Sequence, residues 1–268
     1  ARAARCQLRV ENHRNAKERS EYRKLTLRVS VMRLSIIIIE YHGMSDVIGC
    51  VASISEYLSE IDYECLVVSN SAYGEQELLS HQRQLSGAKL LSSGGNLGYA
   101  GGVNTGIRNT TGDYIYVLNP DSRLLDAGVN DIMLAMDAEA KWAIAGPKVV
   151  DDKGVVQPSC RRFPKPWTFL LVRSGLNRLA FAKREQARYL MEDFDRESKR
   201  EVDWVSGGAA IVKRSALAEI GLMDERYFLY MEDVDWCRSA SNGSSNIVFV
   251  PNTVVVHRGQ HESISGGI

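Results

Sequence analysis

A chain of 268 residues with 44% hydrophobic content is long enough for one large α/β domain or two small ones and can bury a sizeable core. The formal charge is zero, but residues 1–33 hold ten Lys or Arg against three acids; the mildly acidic remainder, with 23 basic and 30 acidic side chains, argues against nucleic acid as a partner. No stretch reaches the ~20 apolar residues of a membrane span, and five scattered cysteines without a C-x-x-C pair suggest reduced thiols in cytoplasm, not a disulfide frame or a zinc site.

The basic arm (1–33) contains no apolar run, so it is not a secretory signal. Met32 just before "RLSIIII" reads as a natural start, which makes the arm a leader or an added extension; its charge also suits peripheral contact with the cytoplasmic face of a membrane. "LSIIIIEY" (34–41) is rich in β-branched residues and predicts a buried strand, followed by a helix over 46–59 and the strand "CLVVSN" (65–70). A polar helix near 75–86, a strand "AKLLSS" (88–93) and a Gly-rich turn into a helix over 100–110 come next. "YIYVLNPD" (114–121) is a fourth strand, and a helix over 124–139 leads to "WAIAGPKVV". Steady alternation of strand and helix predicts a mostly parallel sheet with helices on both faces.

After Pro147 the pattern changes. "QPSCRRFPKPW" holds three prolines, and the charged stretch "AKREQARYLMEDFDRESKR" reads as helix, so 151–200 is an excursion from the sheet. "EVDWVSGGAAIVKRSALAEIGLMDE" returns as strand, Gly-Gly turn and helix, and "NIVFVPNTVVVHRG" reads as a late strand pair. The expectation is one domain over 34–262, with long loops on one face and a short tail over 263–268.

Ligands of open parallel sheets sit beyond the carboxyl ends of the strands. Four polar clusters fall there: Glu40-Tyr41-His42, Ser69-Asn70-Ser71, "SGGNLGYAGGVNTG", and Asn119-Pro120-Asp121. Asn, Gly and Asp are also ordinary turn residues, but four such clusters on one rim favour a polar ligand. The Gly-rich stretch matches neither G-x-G-x-x-G nor the lysine-bearing phosphate loop, since Ile107 stands where that loop needs Lys. It reads either as a tight strand-to-helix connection or as a cradle whose helix N–H groups face a diphosphate. Asp121 suits a hard divalent cation or the N-cap of the helix that follows. His257, at the end of "NTVVVH", is a polar strand terminus or a ligand. "FLYMEDVDWC" crowds Glu232, Asp233 and Asp235 into an apolar run. Acids in a first helical turn gain roughly 0.3–1 kcal/mol each from the helix dipole, which is the bland account of these three.

Taken together, "IIIIEYHG", "NLGYAGGVNTGI", "LNPD", "VSGGAAIVKRSALAEIGLMDERYFLYMEDVDWC" and "VPNTVVVHRG", in this order over about 36 to 259, resemble the family 2 inverting glycosyltransferases, within them the bacterial rhamnosyltransferase-like group. The resemblance implies the A-type glycosyltransferase fold, a Rossmann-like, mostly parallel sheet flanked by helices. It implies transfer of a sugar, L-rhamnose from dTDP-rhamnose, from a nucleotide-sugar donor to a glycan or lipid-linked acceptor, with a divalent cation (Mg or Mn). By the same resemblance Asp233 is the base, Glu232 supports it or touches the acceptor, and Asp235 caps the helix. Asp121 and His257 are the metal ligands. Asn96, Gly98 and Asn104 lie along the nucleotide and Tyr41 borders the base. Gly207 and Gly208 admit donor and acceptor close to the backbone. Ser69 and Asn70, and Asn119 beside Asp121, complete the nucleotide-sugar side.

The sequence departs from the family pattern in places. Asn119 stands where many relatives carry the first acid of D-x-D. Ser69 replaces the aspartate that commonly precedes Asn, and strand one ends Glu-Tyr-His in place of Thr-Tyr-Asn. Relatives often continue past the final histidine with a helical tail, where this sequence reads "HESISGGI". Among other readings, a sugar-phosphate nucleotidyltransferase wants a cation in the Gly-rich loop, and residues 94–107 contain no Lys or Arg. A glycoside hydrolase also uses paired carboxylates but needs no diphosphate cradle. A non-catalytic nucleotide-sugar-binding module accommodates the changes at 40, 69 and 119.

Overall fold

The computed structural model describes residues 33–173 and 178–258. The basic arm, apart from Arg33, and the tail expected over 263–268 lie outside the described residues.

All seven residues of β1 (Leu34–Glu40) are buried, as a strand covered on both faces requires. Leu34, Ile36 and Ile38 pack with Val47, Val51 and Ile54 of α1 (Met44–Tyr57) on one side. Ile37 and Ile39 pack with Val103 and Ile107 of α3 (Gly98–Arg108) on the other. The β2 (Tyr63–Ser69), α2 (Glu75–Gln84), β3 (Lys89–Ser92) and β4 (Tyr114–Leu118) elements complete a parallel half-sheet ordered β3-β2-β1-β4. Strand order reverses between β1 and β4, and the crevice at such a switch point is where ligands settle.

Beyond β4 the sheet becomes mixed. β5 (Ser122–Leu124), α4 (Val129–Ala138), β6 (Trp142–Val150), β7 (Cys160–Arg161), α5 (Thr168–Arg173), α6 (Ala180–Leu190), β8 (Arg200–Val202), β9 (Trp204–Val205), β10 (Ala209–Lys213), α7 (Leu217–Ile220), α8 (Glu232–Asn242) and β11 (Asn246–His257) follow in order. β10 runs antiparallel between β4 and β6, and β11 lies parallel to β6. The excursion over 151–200 folds as α5 and α6 beside a small antiparallel pair, β7 with β9.

Three local expectations are corrected. The segment after the Gly-Gly turn opens as the central strand β10, not as a helix. The late strand pair is one twelve-residue strand with a register shift between Val250 and Val254, where Pro251 offers no N–H to the ladder. The helix expected from 124 starts only at Val129, because Ser122–Leu124 pairs antiparallel with Val255–His257 as β5.

Candidate active site

That three-residue strand decides the Asp121 side of the rim. β5 pairs Ser122 with His257, so β11 delivers the imidazole beside the residue just before β5. Asp121 Oδ1 stands 3.2 Å from His257 Nε2, and the Asn119 amide nitrogen stands 3.0 Å from the same ring nitrogen. One nitrogen cannot accept from Asn119 and donate to Asp121 together, so the ring takes one partner at a time. Capping no longer accounts for Asp121, since the next helix begins eight residues later behind Gly128, whose N–H is taken by Asp126 Oδ1 at 2.8 Å. Burial pushes the Asp121 carboxyl up, but the hydrogen bond and charge of His257, with Arg123 nearby, hold it below the usual carboxylate range. A carboxylate oxygen and an imidazole nitrogen this close fit two positions around a divalent cation. No group of three or more His, Cys, Asp or Glu gathers among the described residues, so the remaining ligands would come from substrate phosphates and water.

On the opposite flank of the switch point the Gly-rich turn enters α3. Asn96 Oδ1 accepts from Gly98 N at 3.0 Å, and Asn70 Nδ2 donates to Gly98 O at 2.9 Å. Gly98 has φ +72°, and a Cβ there would collide with the Phe228 carbonyl, which already accepts from Tyr99 N at 2.8 Å. Only glycine meets both demands. The buried Asn70 keeps Oδ1 without a partner, and Tyr41 is 55% exposed on the rim.

Ser69 and Asn104 sit differently from what the resemblance implies. Ser69 is fully buried, and its hydroxyl donates to Glu40 Oε2 at 2.5 Å. Glu40 Oε1 accepts from Gly43 N, Ser71 Oγ and Tyr73 Oη at 3.0, 3.1 and 3.0 Å. The cluster braces the loops after β1 and β2. Asn104 is 1% exposed and turned toward residues 223–225: Nδ2 donates to Met223 O and Glu225 Oε1, both at 2.8 Å, and Oδ1 accepts from Met223 N at 3.0 Å. With its donors and acceptor occupied, it fastens a loop to α3 and has no donor free for a nucleotide.

The acid side is built on the Gly207-Gly208 turn. Asp233 Oδ2 accepts from Gly207 N at 3.0 Å and Oδ1 from Val234 N at 2.8 Å. A Cβ on Gly207 would stand 3.2 Å from Asp233 Cβ, and one on Gly208 2.9 Å from the Asn119 amide, so both glycines permit the approach. Burial raises the Asp233 carboxyl above the usual range, against the two backbone N–H groups and the charge of Arg161. Glu232 is pushed up to about 7, first by burial and also by the charge of Asp233, and its buried Oε2 has no partner. No side chain caps α8, whose N-cap is Met231 in a left-handed conformation, so Asp235 does not fill the capping role expected of it. Tyr99 joins the two sides: its hydroxyl lies 2.7 Å from Gly207 O and 3.3 Å from Asn119 Oδ1. Asp233, Gly207, Tyr99, Asn119, His257 and Asp121 thus form one unbroken run of polar contacts.

Comparison with known proteins fixes the family. A model described as Glycosyl transferase family 2 matches residues 35–221. The chain belongs to glycosyl transferase family 2. The N-acetylglucosaminyl-diphospho-decaprenol L-rhamnosyltransferase of Mycobacterium tuberculosis is 34% identical over 193 residues, covering 65% of this chain and 60% of that protein. Rhamnosyltransferase WbbL of Escherichia coli K12 is 26% identical over 241 residues, 85% of each chain. The chain therefore spans about 60% of the length of its mycobacterial relative. Among solved structures, GalNAc-T7 with UDP, GalNAc and Mn2+ superposes with a TM-score of 0.60 at 15% identity, over 87% of this chain and 46% of that one. Mannosyltransferase PcManGT from Pyrobaculum calidifontis, with GDP-Man and Mn2+, gives 0.55 at 14% identity, over 87% and 58%. These likenesses establish the A-type glycosyltransferase fold.

In this family 2 member, sequence reasoning passed over two site residues, Tyr99 and Arg161. The Arg161 guanidinium lies over the Trp204 and Tyr189 rings at 5.1 and 5.5 Å, and its Nε donates to Pro158 O at 2.9 Å. Tyr99 directly follows the glycine that reads most clearly as special, and a tyrosine opening a helix at a polar rim was its available signal.

Proposed function

We propose that this glycosyltransferase performs inverting, divalent-cation-dependent transfer of L-rhamnose from dTDP-rhamnose to a glycan or lipid-linked glycan acceptor in cell-surface polysaccharide synthesis. The observation that supports the reading is the run of polar contacts from Asp121 to Asp233, in which a carboxylate beside an imidazole and a half-buried acid share one rim. The rhamnosyltransferase relatives support the choice of sugar, and the Mn2+ bound by the structural neighbours supports the cation.

In this reading the Asp233 carboxylate takes the proton of the acceptor hydroxyl as its oxygen bonds to the anomeric carbon. The bond to the diphosphate oxygen breaks on the opposite face, which inverts the centre. An upward-shifted carboxyl suits a base working near neutral pH, and Gly207 N and Val234 N hold its orientation. Asp121 and His257 would hold the cation, which when bound offsets the charge on the departing nucleoside diphosphate. The first N–H groups of α3 are held by Asn96 and the Phe228 carbonyl, so this turn shapes the rim through its glycines, and the exposed Tyr41 borders the base. Glu232, whose carboxyl is pushed up to about 7, stands beside Asp233 for contact with the acceptor.

The test is a donor screen: nucleotide sugars are incubated with Mn2+ or Mg2+ and lipid-linked acceptors, and nucleoside diphosphate release is measured. dTDP-rhamnose should give the fastest release, and Asp121→Ala or a chelator should weaken donor binding. Cation-dependent binding without turnover on any acceptor would make the chain a binding module instead.

A further inference from the structure

The α5–α6 hairpin carries a surface that the transfer reaction does not use. Its buried side is clamped by Glu185, which accepts from Thr168 Oγ1 at 2.5 Å and pairs with Arg188 at 2.6 Å and Lys165 at 3.5 Å. Its outer side presents Trp167, Phe169, Leu170, Leu179 and Phe181, with Leu170 67% and Phe181 56% exposed. Lys165, Arg178, Lys183 and Arg184 are exposed among them. The sequence from 165 to 184 contains no acid at all, in a body whose acids outnumber its bases. Large apolar side chains interleaved with cations, and no anion to repel a negative surface, are the chemistry of an interfacial membrane contact. A soluble face of this protein would be expected to share the acidic excess of the rest.

We propose that this hairpin docks on an anionic lipid surface, with the apolar side chains entering the headgroup boundary and the cations lying on the phosphates. No helix among the described residues is long and apolar enough to cross a membrane, so the contact is a surface one. Its position gives it a purpose. Phe169 meets Tyr189 edge-on at 5.9 Å, and Tyr189 lies 6.4 Å from Trp204 of β9, which leads directly into the Gly207-Gly208 turn. Membrane contact is thereby tied through packed rings to the Asp233 side of the site, where a lipid-linked acceptor arrives. The docking itself does not depend on which sugar is transferred.

The full chain is tested on phosphatidylcholine vesicles with and without phosphatidylglycerol. Co-sedimentation should need the anionic lipid and weaken with salt. Brominated lipid should quench tryptophan fluorescence, and Trp167→Phe should remove that quenching. Leu170→Ser with Phe181→Ser should lower partitioning roughly tenfold or more, and Lys183→Glu with Arg184→Glu should abolish the preference for anionic vesicles. Equal partitioning of parent and variants would assign binding to the basic arm and overturn the proposal. So would an absence of quenching, or a concentration-dependent dimer that the Leu170/Phe181 variant dissolves. Should a variant fail to fold, the quenching of the parent still decides.

Discussion

Glu40 and the pair of Glu232, buried, and Asp233, half-buried, are acids on the same rim, kept in opposite ways. The carboxylate of Glu40 is closed in by four donors, three hydroxyls and one backbone N–H. Glu232 has an oxygen with no partner, and Asp233 has only two backbone N–H groups from the chain around it. A saturated buried carboxylate returns its desolvation cost as rigidity, whereas an under-served one keeps a raised proton affinity available for chemistry. In the proposed reaction the acids of the α8 turn are the reactive pair, and Glu40 is a brace.

The largest effect that can break this contrast belongs to Asp233. Asp233→Asn should lower turnover by about 10²–10⁴ with donor affinity nearly intact, measured by nucleoside diphosphate release beside a donor titration. Near-parental turnover would remove Asp233 as the base. Glu40→Ala should instead show in stability, costing about 3 kcal/mol or more in urea unfolding because several buried hydroxyls lose their acceptor. A variant of parental stability with lost turnover would make Glu40 part of the chemistry. Asn104→Ala should cost about 1–3 kcal/mol and loosen residues 223–225, raising acceptor KM more than it lowers kcat.

The smallest effect is in pH dependence. The Glu232 carboxyl is raised from its ordinary 4.5 to about 7, so the folded state binds its proton more tightly than the unfolded chain does. Its contribution to stability is then fully present below about 4.5, declines as pH rises, and is gone above about 7. Unfolding followed across that window should lose this slope in Glu232→Gln. An unchanged slope would mean that the burial of Glu232 does not govern its proton.

Much of the fold was legible because β1, β2 and β4 carry the apolar runs IIII, LVV and YIYVL and the segments between them have helix length. β5 was not, since three residues carry no periodicity and its stability comes from pairing with a strand more than 120 positions away. β10 was misread because Ala-Ala after a glycine pair is equally at home in a helix; only its place between β4 and β6 makes it a strand. Asp121, His257 and Asp233 stand out through chemistry at strand and helix ends, and the structure joins them in one run of polar contacts. For Asn104 the resemblance implies a place along the nucleotide, whereas α3 turns its side chain toward a loop distant in sequence. Tyr99 escaped because its partners come from two other elements.

Glu40 and Ser69 face each other directly across β1 and β2. The resemblance implies threonine then aspartate at these two places, whereas this chain carries its carboxylate on β1 and a hydroxyl on β2. Changing one position alone gives a poor protein either way. Ser69→Asp sets two acids face to face without solvent, and Glu40→Thr strips the acceptor from Ser71 and Tyr73. The two positions are thus coupled, and a change at one is expected to be tolerated only with a matching change at the other.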